Sequence, residues 1–345
     1  KTPAEYKPAN EDWKKHLADQ DAERTAYARR CKKATIDPSK YLSLIIYGAS
    51  QQPLPITSTN THKFTSCRMI HLHILGLINH LWNMKEMHIS LGEWPANNQT
   101  VTSVAMSHIR RYFSETGRHP AILFLQLDNC CPLNKNAAIL TWAANLIATG
   151  WFNKVYVGYM FPGHTHTDID QFFRLINNII SDAIIFTPTD FANRILQVWN
   201  HGDRSYNFKV FYIHSVFDFN SLFKNLASIG HNFSNIRSFK ITRQNNPDGV
   251  SSTIVVRSCA SSTIRHSWSQ PFPLLSVSPI SPVSCVEPNV SLLSNQRLID
   301  KVISAFAVAF IGRQDALDWW TNLPKDPIAL LQLHRSLPLV CIFYI

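Results

Sequence analysis

Two short stretches carry residue types that can do chemistry. The first is Leu125-Gln126-Leu127-Asp128-Asn129, an apolar run that ends in a carboxylate. The second is Gly163-His164-Thr165-His166-Thr167-Asp168-Ile169-Asp170-Gln171, with two imidazoles and two carboxylates between positions 164 and 170. A carboxylate at the C-terminal tip of a buried strand faces the crevice where open α/β sheets place their ligands. The plainer role for Asp128-Asn129 is a turn that caps the next helix. In the second stretch, Thr165 with Asp168 has the spacing of a capping box, which accounts for those two residues. It leaves His164, His166 and Asp170 without a structural reason. His166 and Asp170 are four apart, so on a helix they share one face. Carboxylates suit hard divalent cations such as Mg²⁺ or Mn²⁺, whereas a His-x-His-x-Asp run suits zinc.

These residues need elements to position them. Asn10 to Lys33 is expected as a polar helix with Leu17 as nearly its only aliphatic anchor, ended by Asp37-Pro38. Tyr41 to Tyr47, closed by Gly48, has the β-branched and aromatic content of a buried strand. Cys67 to Ile78 and Trp82 to Ile89 form a strand pair, and Asn97 to Phe113 has helical periodicity. Ala121 to Leu127 is almost wholly apolar, as in a strand buried on both faces. A helix from Lys135 to Thr149, a strand from Lys154 to Met160, and helices at Thr167 to Ser181 and Thr189 to Trp199 follow. The order β-β-β-α-β-α-β-α points to a mixed sheet covered by helices. Beyond it lie strand character at Phe208 to Phe219 and a hairpin joining Phe239–Arg243 to Thr253–Arg257. Ser258 to Leu293 is Ser/Pro-rich and expected as a linker or disordered segment, and Gln296 to Ile311 as a last helix.

Composition sets outer limits. The 345 residues are 45% hydrophobic, enough to bury a core and inconsistent with a fully disordered chain. The formal charge of +10 favours phosphate-bearing partners, because cations placed on phosphates release counterions. Arg29, Arg30, Lys32 and Lys33 cluster on the first helix, where a solvated face is the plainer explanation than a nucleic-acid contact. Seven cysteines at irregular spacing, with no CxxC, point to free thiols in a reducing compartment. The N-terminal forty residues lack a signal-peptide pattern, and the longest apolar runs are too short or too His-rich to span a bilayer. The expectation is an intracellular protein, nuclear or cytoplasmic, away from membranes. A chain that starts at Lys1 is expected to be a fragment or processed piece.

Taken together, YLSLIIYGASQ at 41–51, LDNC…NKN at 127–136 and GHTHTDIDQFF at 163–173 resemble an uncharacterised, transposase-derived RNase H-like domain family of mobile elements and their genomic relics. The resemblance spans roughly Trp13 to Asn245. It implies an RNase H-like α/β fold: a mixed five-stranded sheet flanked by helices over 40–205, with a helical arm over 1–39. A small β-containing extension covers 206–257, and a poorly ordered tail with some helix covers 258–345. It also implies DDE/D-type phosphodiester chemistry, in which carboxylates from the first strand, the fourth strand and a later helix hold two divalent ions. Asp128 takes the fourth-strand place and Asp168 or Asp170 the helix place, with His164 and His166 orienting carboxylates or phosphate. Lys135, Asn129 and Arg174 are the candidates for nucleic-acid contact. DNA is the implied partner, Mg or Mn the cofactor if the site is active, and a homo-oligomer is also considered. The first-strand place falls on Tyr47, and the next expected acid on Ser50. A phenol stays neutral at pH 7 and is a poor ligand for Mg²⁺. The expectation is therefore a degenerate, inactive domain that keeps a nucleic-acid-facing surface. The alternatives are an active nuclease or transposase using Asp128 and Asp168/Asp170, a domesticated binding domain, and a zinc hydrolase resembling the metallo-β-lactamases. The last lacks the His expected after Asp168, where the chain has Ile169.

Overall fold

The computed structural model describes residues 3–56, 69–81, 83–129, 134–160, 167–200, 208–223, 236–246, 252–260, 268–276 and 284–333. The chain opens with α1 (Pro3–Ile36), and β1 (Tyr41–Gly48) follows with six consecutive buried residues. A short β2 (Gln52–Leu54) precedes the hairpin of β3 (Ile70–Asn79) and β4 (Met84–Ser90). Next is α2 (Asn98–Thr116), whose Asn97 cap accepts from the Gln99 amide at 2.9 Å and which stops at Gly117 with φ 63°. The middle of the chain alternates: β5 (Ile122–Leu127), α3 (Ala137–Ala148), β6 (Lys154–Tyr159), α4 (Asp168–Ile180) and α5 (Pro188–Asn200). Then come β7 (Phe208–Tyr212), α6 (Phe219–Phe223), β8 (Ser238–Asn245), β9 (Ser252–Cys259) and β10 (Phe272–Ser276). The described chain closes with α7 (Gln296–Ala305), α8 (Gln314–Asn322) and α9 (Pro327–Leu333).

One mixed sheet organises all of this, in the order β10-β9-β8-β6-β5-β1-β3-β4-β7, with β2 attached to β3. At its centre β1 runs antiparallel to β3 and parallel to β5, and β5 is parallel to β6. The sheet therefore has ten strands, not the five expected. Four of the five additional strands fall in segments expected as an extension and a linker: β7 joins beyond β4, and β8, β9 and β10 join beyond β6; the fifth, β2, pairs with β3. Residues 206–257 contribute β7, β8 and β9 to the main sheet, and the stretch 258–293 contributes β10.

Alternation sorts the strand side chains onto two faces. Leu42, Leu44 and Ile46 of β1, with Leu123, Leu125 and Leu127 of β5, pack under α2 and α3. Ile45 and Tyr47 point the other way, into a core built with Ile169 and Phe172 of α4, Phe191 of α5 and Trp320 of α8. Helix α4 approaches the sheet closely at Gly76, the partner of Tyr47 on β3. A Cβ at Gly76 would lie 2.6 Å from the Phe173 ring and 3.1 Å from Ile169, so this position requires glycine. The N-terminus of α4 is thereby held beside the end of β1. Among the described residues no helix is long and apolar enough to cross a membrane.

Candidate functional site

The parallel pairing of β1 with β5 sets the geometry of the central corner. Ile46 pairs with Leu127, so Tyr47 and Asp128 stand level one residue further on, at the C-terminal ends of neighbouring strands. Tyr47 lies on the face covered by α4, and Asp128 is near enough for its charge to act on the phenol. Asp170, in the first turn of α4, is close enough that its charge acts on both Tyr47 and Asp128. Three of the expected positions therefore converge at one end of the sheet.

Their electrostatics are those of carboxylates brought together with a neutral phenol. Burial pushes the Asp128 carboxyl up, the Asn129 amide opposes this, and the Asp170 charge adds to the rise. Tyr47 is only 5% exposed, and burial followed by the Asp128 charge pushes its phenol far above its ordinary range. It cannot ionise at neutral pH. Its Oη is buried without a hydrogen bond among the described residues, and so is the Gln126 Nε2 nearby. The amide lies near enough to favour the phenolate, but its geometry falls short of a hydrogen bond. A buried hydroxyl left in that state costs about 1–3 kcal/mol. Among the described residues no three His, Cys, Asp or Glu side chains are placed to hold one metal ion. A cavity of about 220 Å³ opens beside the corner, lined among others by Gly48, His73, Ser90, Asn97 and Asp128.

Asp168 and Asp170, interchangeable by sequence, have different surroundings. The capping box of α4 is formed by Thr167 with Asp170; Thr165, expected to pair with Asp168, lies outside the described residues. Asp170 Oδ2 accepts from the Thr167 amide at 3.0 Å and from its hydroxyl at 2.9 Å. Asp168 is engaged elsewhere: Tyr27 Oη of α1 donates to its Oδ1 at 2.7 Å, and His80 Nε2 lies 3.0 Å from its Oδ2. His80 Nδ1 meets the Ser43 carbonyl at 3.0 Å, so both ring nitrogens face acceptors and the ring is held as an imidazolium. Burial pulls the His80 pKa down, but Asp168 and Cys31 outweigh it and leave it pushed up to about 10. This Tyr27–Asp168–His80 cluster fastens α1 to the sheet and to α4.

The remaining expected residues divide. His164 and His166 lie outside the described residues. Lys135, expected to meet nucleic acid, is 2% exposed; its Nζ donates to Asn129 Oδ1 at 3.0 Å and lies over the Tyr159 ring. Its charge is spent inside the protein, tying Asn129 beside Asp128. Arg174 is exposed on α4.

One buried cluster escaped sequence reasoning. Glu86 of β4 is fully buried and accepts from His88 Nε2 at 3.1 Å, His108 Nδ1 at 3.0 Å and Arg111 Nη2. Asn79 Nδ2 lies 3.0 Å from His108 Nε2. Burial alone would raise the Glu86 pKa, but His108, His88 and Arg111 hold it well below the carboxylate range. The available signal was His108 and Arg111 three apart on α2, on the side that also carries its apolar stripe.

A family model described as a domain of unknown function (DUF7869) matches residues 62–257, more than half of the chain. The chain belongs to this family. The DUF7869 match includes Asp128, Asp168 and Asp170 and begins after β1, so Tyr47 and α1 lie outside it. No curated protein and no solved structure matches the chain.

Proposed function

We propose that this DUF7869 chain is a catalytically silent, RNase H-like domain derived from a transposase-type phosphodiester enzyme, retained for binding nucleic acid. The observation that carries the reading is Tyr47 standing level with Asp128 while Asp170 faces both. Two-metal phosphodiester chemistry uses carboxylates from the first strand, the fourth strand and a helix. Here the second and third places hold acids and the first holds a buried phenol. The central strand order β4-β3-β1-β5-β6, with three antiparallel strands followed by two parallel to β1, supports the RNase H-like part. With Asp168 tied to Tyr27 and His80, Asp170 is the helix carboxylate of the site.

If Mg²⁺ or Mn²⁺ bound, Asp128 and Asp170 would hold it, and it would activate a water or hydroxyl for attack on phosphorus. Two carboxylates without a third fit such an ion poorly, because hard cations that dehydrate reluctantly need several oxygen ligands in fixed geometry. The test is plasmid cleavage by the full chain with Mg²⁺ or Mn²⁺. The expected result is no metal-dependent nicking. Cleavage that disappears in Asp128→Ala would overturn the silent reading and favour an active nuclease.

A further inference from the structure

A basic groove lies at the other end of the sheet from Asp128. On the face shared with α1, Tyr41 of β1, Phe124 of β5 and Tyr156 of β6 bring their rings side by side. The Tyr41 and Phe124 centroids are 5.5 Å apart with planes at 9°, and Phe124 and Tyr156 are 5.4 Å apart. Trp268 continues the row 6.2 Å beyond Tyr156. Phe124 is buried, while Tyr41, Tyr156 and Trp268 are half-buried and present ring surface to solvent.

Cations border this row on both sides. From α1 and the following loop come Arg29, Arg30, Lys33 and Lys40; from β6 comes Lys154. In the ladder that contains Tyr156, the next two strands place Lys240 and Arg257 level with its ring. The Arg30 guanidinium lies 5.9 Å from the Tyr156 centroid and donates to Ser238 Oγ at 3.2 Å. It reaches there because Gly158 has no Cβ, which would lie 2.6 Å from Arg30 Nη1. Lys33 and Lys40 ammonium groups sit 5.8 and 5.5 Å from the Tyr41 centroid. Among the described residues no carboxylate pairs with Lys33, Lys40, Lys154, Lys240 or Arg257. Burial, Lys154 and Arg257 together push the Lys240 ammonium pKa down, as expected where like charges crowd without a counter-ion. The groove encloses about 670 Å³; among the described residues no acidic side chain lines it, and Lys240 and Arg257 lie beyond its lining, further along the ladder from Tyr156.

We infer that this groove binds single-stranded nucleic acid, with unpaired bases stacking on Tyr41, Tyr156 and Trp268 and phosphates held by Lys33, Lys154, Lys240 and Arg257. A sheet face that alternates rings with uncompensated cations is the combination that holds unpaired strands, because every base has a π-face and every linkage a charge. A duplex offers phosphates but keeps its base faces stacked inside, so it would leave the ring row unused. The inference rests on the nucleic-acid part of the function proposed above and on none of its catalytic part. Tyr41, Lys154 and Tyr156 lie toward the N-terminal ends of the parallel strands β1 and β6, and Tyr47 and Asp128 at the C-terminal ends of β1 and β5.

The test is fluorescence anisotropy of the full chain with labelled oligothymidylate, oligouridylate and a mixed-sequence duplex across a salt series. The wild type should bind the single strands more tightly than the duplex, and the two single-stranded arms tell DNA from RNA by the effect of the 2′-hydroxyl. Tyr156→Ala should weaken single-strand binding about tenfold or more, the scale of one lost base stack, while Tyr156→Phe keeps it. Lys240→Glu, at a half-exposed position that does not endanger the fold, should weaken binding and flatten the salt dependence. Unchanged single-strand affinity in both Tyr156→Ala and Lys240→Glu would overturn the inference, as would equal competition by poly-glutamate. Duplex binding that persists unchanged in these variants, with no preference for single strands, would place the nucleic-acid surface elsewhere and leave the broader proposal standing. No binding of any nucleic acid by the wild type would remove both the groove and the nucleic-acid part of that proposal.

Discussion

Replacing Asp168 with Asn should uncouple α1 from the sheet in a pH-dependent way. In the wild type, His80 donates to the Ser43 carbonyl and to Asp168, and Tyr27 donates to the same carboxylate. The His80 pKa is pushed up to about 10 from an ordinary 6.5. At about 1.4 kcal/mol per unit that difference is at most about 5 kcal/mol for a sealed pair. The Asp168 side chain is 38% exposed, so solvent screening reduces the figure to about 2 kcal/mol. The sign follows from linkage: the folded state holds the His80 proton more tightly than the unfolded chain. Its contribution is full below pH 6.5 and is lost as pH rises toward 10. Asp168, held below the carboxylate range despite burial because of His80 and Tyr27, contributes above its unfolded pKa and loses that contribution in acid. Urea unfolding followed by circular dichroism from pH 5 to pH 10 measures the His80 contribution, and extending the series to pH 3 reaches that of Asp168. Asp168→Asn should be about 2 kcal/mol less stable at pH 6, and the gap to wild type should narrow as pH rises toward 10. A parallel offset across that whole range would refute the imidazolium assignment. Wild-type stability at pH 6 would refute the cluster as an anchor.

Other outcomes follow from the same structure. Tyr47→Phe removes a buried hydroxyl that has no hydrogen-bond partner among the described residues, so thermal unfolding should show it at least as stable as wild type. A loss above about 1 kcal/mol would mean that the hydroxyl is satisfied. Glu86→Gln leaves the cations and imidazoles around a fully buried site without their carboxylate and should cost about 3–5 kcal/mol in urea unfolding. Because the Glu86 pKa is held well down, its contribution is present above the ordinary carboxylate pKa and is lost in acid. The stability gap to Glu86→Gln should therefore narrow as pH falls below about 4, close to the reference pKa of Glu.

The central elements were legible because their patterns are strong. A run such as Ile122–Leu127, apolar but for Gln126, has few fates besides a strand buried on both faces, and it places Asp128 at the strand tip. The outer strands were harder to read: β8 and β9 keep one face on the core and the other half exposed, and β2 is three residues long. Sequence reasoning saw the hairpin at 239–257 but could not see that its edge joins β6, a long-range pairing without a local signal. The stretch Thr165-His-Thr-Asp-Ile-Asp170 contains two overlapping Thr-x-x-Asp frames that local spacing cannot tell apart, and the described residues form the box of Thr167 with Asp170. Lys135 looked like a surface cation at a helix start; nothing local tells that Asn129 and the Tyr159 ring enclose it. The basic groove was half visible as the α1 cluster of Arg29 to Lys33. Its other half comes from β6, β8 and β9, more than a hundred residues away.

The claim that Tyr47 closes a former metal corner is tested most directly by Mn²⁺ titration of Tyr47→Asp, followed by electron paramagnetic resonance. This variant restores a carboxylate level with Asp128 and facing Asp170. It should lose stability without metal, since a buried ring is exchanged for a third negative charge. At a hundredfold excess of Mn²⁺ over the dissociation constant it should regain about 2.7 kcal/mol. The account predicts bound Mn²⁺ in Tyr47→Asp, little in wild type, and none in Tyr47→Asp combined with Asp128→Asn. Tight Mn²⁺ binding by wild type, or a folded Tyr47→Asp that binds no more Mn²⁺ than wild type, would contradict it.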